Sequence, residues 1–141
     1  MGRVIKMNSA GKDRQLLEKG IVKAIRELGR QEQLAESTYD LVAYIALSLM
    51  AIGDTIDESV AAWEKRGYWL KADRYRMEWS WTSKLGEELK GALLQEDWGK
   101  VANIASKVTE KMSKVTVPEK NRLGTPWVGS WRRLKSPNQQ H

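Results

Sequence analysis

The chain has 141 residues, 41% of them hydrophobic, which is enough for one domain to bury a core without covalent staples. It contains no Cys and a single His, the terminal His141, so disulfides, thiolate metal sites and a histidine base inside the fold are excluded. The net charge of +6 is unevenly spread: residues 1–12 carry +3, residues 116–141 carry +4, and the body between them carries −1.

Basic ends attract phosphate, anionic surfaces or acidic proteins. Solvated tails that keep the chain soluble are the plainer alternative. Residues 1–10 read as a basic N-terminal arm, and Met1 to Lys6 lacks the apolar run of a secretory signal. All three Pro lie at 118 or beyond, which leaves the preceding residues free to be helical.

The first helix is predicted over 11–29. Leu17, Ile21, Ala24, Ile25 and Leu28 recur at spacings of three and four, on one helical face. Asp13 suits the positive end of the dipole, and Gly29 suits a C-terminal stop. The second helix is predicted over 37–66, with Ser37 as N-cap, Asp40 as its capping-box-like partner and Gly67 as the stop. Its stripe of Leu41, Ile45, Leu49, Ile52, Ile56, Val60 and Trp63 passes Gly53 without a slip in register. The apolar run from Leu41 to Ile52 covers 12 residues. A membrane span needs roughly 20, so this run reads as a buried helix centre, and no membrane partner is expected.

A third helix is predicted over 69–94, with the stripe Leu70, Met77, Trp81, Leu85, Leu89 and Ala92. A fourth is predicted over 97–115, with Asp97 as N-cap and the heptad Trp98, Val101, Ala105, Val108, Met112 and Val115. Short connections between amphipathic helices make antiparallel neighbours. The expected class is all-α: an antiparallel up-and-down bundle of about four helices over 11–118, then an extended basic tail over 119–141. No sustained alternation or hairpin turn supports strands. Gly20, Gly86 and Gly91 fall inside predicted helices, where Gly costs roughly 1 kcal/mol relative to Ala. At least one of them is expected to lie under a neighbouring helix or a Trp ring.

Catalytic chemistry is sparse. No Gly-rich phosphate loop is present. A helical magnesium-dependent nucleotide hydrolase would need two facing carboxylate pairs. Asp54, Asp57 and Glu58 could supply one, but Glu87 and Glu88 do not make a matching second. The first three also fall opposite the apolar stripe, as a solvated face would. No catalytic residue, metal or cofactor is expected, and the chain is read as non-enzymatic.

Residues 63–81 hold five cations and six aromatic side chains. Cations hold phosphates and aromatic faces stack bases, so Lys65, Arg66, Trp69, Lys71, Arg76 and Trp79 are candidate nucleic-acid contacts, joined by Arg132 and Arg133. Trp63 and Trp81 fall on core stripes and are expected to pack inward. Arg74 falls on the apolar side of its helix, where it would need a carboxylate or the bundle end. In the tail, Trp127 and Trp131 are candidate partner anchors. They would gain nothing in a solvated segment, so the tail is expected to be ordered, on its own bundle or in a partner subunit.

In size, helical class and basic charge the profile is similar to the small helical subunits of CRISPR effector complexes, a likeness of composition and not of motif. The expected function is a non-catalytic, cytoplasmic subunit of a larger assembly that contacts single-stranded nucleic acid. One alternative is a protein–protein adaptor or homo-oligomeric scaffold docking through its Trp/Arg tail. A metal-dependent nucleotide hydrolase stands third.

Overall fold

A computed structural model describes residues 10–136. The basic arm expected over 1–10 falls, but for its last residue, outside the described residues, as does His141. Six helices follow in order: α1 (Ala10–Gly29), α2 (Glu36–Lys65), α3 (Trp69–Trp79), α4 (Trp81–Leu94), α5 (Trp98–Lys111) and α6 (Ser130–Lys135). No strand occurs among the described residues, and the class is all-α.

The core is organised around α2. Six consecutive residues, Leu41 to Ala46, are buried. A helix apolar on every side must be covered on every side, and α2 packs against α1, α3, α4 and α6. By length and composition alone it could cross a membrane; in this fold its apolar surface is met by other helices. Ile21 and Ala24 of α1, Leu89 and Leu93 of α4, and Val101, Ile104 and Val108 of α5 complete the core. Leu17, Leu28, Trp81 and Ala105, expected inside, are half-buried.

Small residues set the closest approaches. A Cβ on Gly86 would stand 3.1 Å from the Leu49 Cβ and 3.2 Å from the Ala46 carbonyl oxygen, so α4 lies directly on α2 there. A Cβ on Gly20 would stand 2.1 Å from the Tyr44 hydroxyl. Gly91 faces open space.

Three expectations are corrected. The helix expected over 69–94 is interrupted at Ser80. The Thr82 hydroxyl donates to the Trp79 carbonyl at 2.8 Å, three residues back, and the Ser80 hydroxyl approaches the Met77 carbonyl at 3.5 Å. Such hydroxyls compete with the backbone ladder and bend helices. The inward face of α3 consequently becomes Ala72, Tyr75 and Trp79, while Leu70 and Met77 are 67% and 79% exposed.

At the start of α2, Thr38 and not Ser37 does the capping: its hydroxyl oxygen accepts the Ala35 N–H at 3.0 Å. Asp40 turns away to another element.

The tail, finally, is not extended throughout. It wraps the bundle and ends in α6, which packs on α2. Val117 before it and Trp127, Ser130 and Leu134 within it are buried.

Candidate nucleic-acid interface

The candidate residues gather at the corner between α2 and α3. Gly67 ends α2 with a φ of +80°, a conformation that favours glycine. The Tyr68 N–H returns to the Trp63 carbonyl at 2.9 Å and the Gly67 N–H to the Glu64 carbonyl at 3.0 Å, closing the last turn. The chain reverses, and α3 starts two residues later. Trp63, Tyr68, Trp69, Lys71, Arg74 and Glu78 are among the walls of a cleft of about 830 Å³ at this corner.

Within the cleft Trp69 is 60% exposed. The Lys71 ammonium lies 4.5 Å from the Trp63 ring centroid, and Lys65 and Arg66 are exposed on the final turn of α2. Arg74, expected on an apolar face, is exposed, because the turn at Ser80 leaves α3 free to present Tyr75 and Trp79 inward. Arg76 bonds Glu64 and Asp73, each at 2.7 Å. These bonds, Glu64 first, raise its pKa above the usual guanidinium value. Arg76 is thereby committed to two carboxylates, which leaves Lys71 and Arg74 without an acidic partner among the described residues.

Trp79 is placed differently from Trp69. In an unbroken helix residues 79 and 81 would project about 160° apart. The interruption at Ser80 brings their rings to 6.4 Å with an interplanar angle of 21°. Tyr75 packs on Trp63 at 4.7 Å and on Trp79 at 6.4 Å. The Arg14 guanidinium of α1 covers both Tyr75 and Trp79, at 5.3 and 5.2 Å from their centroids. Trp79 is half-buried in this stack and is not displayed for a base.

Arg132 and Arg133 do not join the corner. They stand on α6 beside Tyr44 and Ser48, and Ser48 and Trp63 are separated by about 22 Å along α2. Nor are the tail tryptophans displayed as anchors. Trp127 is 8% exposed and belongs to the core, with Lys23 over its ring at 5.7 Å. Trp131 is half-buried against Tyr39, 5.1 Å between centroids, with Lys135 over its ring at 4.7 Å. Cations of α1 and of the turn after it hold the approach to α6: Lys23 donates to the Gly124 carbonyl and Arg26 to the Val117 carbonyl, while Arg30 pairs with Glu119 at 2.6 Å.

Sequence reasoning missed Tyr68 as a cleft wall. Its signal was the Gly67 stop, which puts the residues that follow at an exposed corner. Asp54, Asp57 and Glu58 are exposed as expected. Among the described residues no three acidic or histidine side chains converge. Compared with known proteins, the chain matches no family model, no curated protein and no solved structure.

Proposed function

We propose that the protein is a non-catalytic subunit of a nucleoprotein assembly that contacts single-stranded nucleic acid at the α2–α3 corner. The observation that carries this reading is the exposed Trp69 beside Lys71 and Arg74 in one cleft, where the nearby carboxylates Glu64 and Asp73 are engaged by Arg76 and Glu78 is the one carboxylate on the cleft wall. An exposed indole stacks any base, worth about 1–3 kcal/mol per base. Unpaired cations beside it take the phosphates on either side. Lys65 and Arg66 extend the cationic surface, Arg74 joins it, and Arg76 and Trp79 leave it. The scaffold behind the corner is read as an antiparallel bundle in which α3 and α4 form one broken arm.

The test is fluorescence anisotropy with labelled single-stranded RNA and DNA at about 50 and 200 mM salt. Affinity falls steeply between the two. Lys71→Gln and Arg74→Gln each lower the salt slope by about one, while Arg76→Gln leaves it nearly unchanged. No binding to either strand at the lower salt overturns the reading.

A protein-contact reading is favoured by one feature, the exposed pair Leu70 and Met77 on α3. Within an assembly this face would meet a neighbouring subunit. The tail-docking form of that reading has less support, because Trp127 and Trp131 pack within their own chain.

A further inference from the structure

A second cleft, of about 910 Å³, lies along α2 away from the α2–α3 corner. Its floor is one face of α2, where Tyr44, Leu47, Ser48, Ala51 and Asp54 recur at helical spacing. That face runs about 15 Å from Tyr44 to Asp54. Leu17 of α1 and Met50 widen the apolar floor, and Pro126, Arg132, Arg133 and Ser136 of the C-terminal wrap form the opposite wall. The cleft therefore exists only because the wrap is docked.

Its ends differ in charge. Towards Tyr44 and Ser48, which are buried and share the cleft lining with Arg133, the positive charge of Arg133 acts on the Tyr44 hydroxyl. Arg133 donates to the Ser130 hydroxyl at 3.2 Å, and neither Arg132 nor Arg133 has a carboxylate partner among the described residues. The middle is aliphatic and thioether surface. Asp54 stands at the far end and is exposed. Guanidinium groups on the wall recognise an anionic head, with Arg132 also facing the neighbouring pocket that holds Asp40, apolar surface accepts a hydrocarbon body, and Asp54 disfavours a second anion at the other end.

We propose that this cleft binds a single-headed organic anion with an apolar body, its head on Arg132 and Arg133 and its body over Leu17, Leu47 and Met50. The site is independent of the nucleic-acid reading, since it uses neither Trp69 nor Lys71.

The experiment is isothermal titration of the full chain with decanoate, decylammonium and butyrate as probes. Decanoate binds with affinity about tenfold or more above both controls, because one lacks the charge and the other the body. The double variant R132Q/R133Q keeps its helical circular dichroism and loses about tenfold in decanoate affinity, the scale of one charge-assisted hydrogen bond. Co-sedimentation with phosphatidylglycerol vesicles separates a free anion from a lipid headgroup: decanoate competes the protein off vesicles if both use the cleft. Equal affinity for decanoate and decylammonium, unchanged decanoate binding by the double variant, or vesicle binding without decanoate binding each overturns the proposal.

Discussion

The Asp40 carboxylate of α2 accepts the backbone N–H of Trp131 at 2.9 Å, and its second oxygen accepts that of Gly129 at 3.1 Å. These are donors at the start of α6, whose own N-cap is Gly129 and offers no side chain. A six-residue helix is not stable alone. It persists here because a carboxylate from another helix caps it and because Ser130 and Leu134 are buried against the bundle. Asp40→Ala is expected to cost about 1–2 kcal/mol, the upper range for an N-cap, and to speed amide exchange at Trp131. Asp40→Asn keeps part of the effect. Urea denaturation with hydrogen exchange checks both; a fully protected Trp131 amide in Asp40→Ala would remove the cap from the account.

Truncation tests the wrap as a whole. Trp127 lies in the core, so Trp127→Ala is expected to cost about 3–5 kcal/mol. Removing residues 119–141 should lower the melting temperature strongly while leaving the oligomeric state as it was. An unchanged melting temperature together with a lost partner would return the tail to an interaction role.

The glycines give opposite signs. At Gly20 an added methyl meets the buried Tyr44 ring, and at Gly86 it meets the α2 backbone, so Gly20→Ala and Gly86→Ala are expected to destabilise by about 1–3 kcal/mol. At Gly91 nothing is in reach, and Gly91→Ala is expected to stabilise by about 0.5–1 kcal/mol through helix propensity. Tyr44→Phe removes the nearest atom, so it should partly rescue Gly20→Ala in a double-mutant cycle. Thermal melts of the four single variants and of the Gly20→Ala/Tyr44→Phe double variant decide the matter.

Burial patterns explain what the sequence could reveal. The α2 register was legible because Leu41 to Val60 keep one apolar face through Gly53, and Asp97 was legible as a cap because its carboxylate bonds the Lys100 N–H. The turn at Ser80 was not legible. Leu70, Met77 and Trp81 imitate a stripe, and only the packing of Tyr75 on Trp63 selects the competing face of Ala72, Tyr75 and Trp79. Asp40 was misread for a similar reason: its position suits capping of its own helix, while its actual donors lie 89 and 91 residues away. At the corner, the charge and aromatic content was visible, but the removal of Arg76 by Glu64 depends on a fold-back that spacing alone does not give.

Two carboxyls predict opposite pH responses. Burial pushes the Glu18 pKa up, with Arg14 one turn away drawing it partly back. A carboxyl raised in the fold contributes stability that is fully present below the unfolded value of 4.5 and is lost as pH rises through the folded one. Glu119 is lowered, first by its hydrogen bond to Arg30 and then by that charge. Its contribution is present above 4.5 and is lost as pH falls through the folded value. Glu18→Gln should therefore raise the melting temperature near pH 7 and change little near pH 4. Glu119→Gln should lower it slightly near pH 7, an exposed pair being worth little, with the difference fading in acid. Identical pH profiles for the two variants would contradict these assignments.

Trp69 and Trp79 lie ten residues apart, yet their substitutions should separate stability from binding. Trp69 is displayed at the corner with few neighbours to lose, so Trp69→Ala is expected to leave the melting temperature within about 2 °C of the parent, as surface changes do. If the corner binds single strands, the same change removes a stacking platform and weakens RNA or DNA binding by about 1–3 kcal/mol. Trp79 is held between Tyr75, Trp81 and the Arg14 guanidinium. Trp79→Ala opens that stack and leaves a buried Arg14 nitrogen, which has no hydrogen-bond partner among the described residues, without its ring. It should cost about 3 kcal/mol or more in stability, while the fraction still folded binds as the parent does. Melting curves and anisotropy titrations on both variants give the answer. Loss of binding in Trp79→Ala at a temperature where it is fully folded would place the base-stacking surface on α3's inner face and not at the corner.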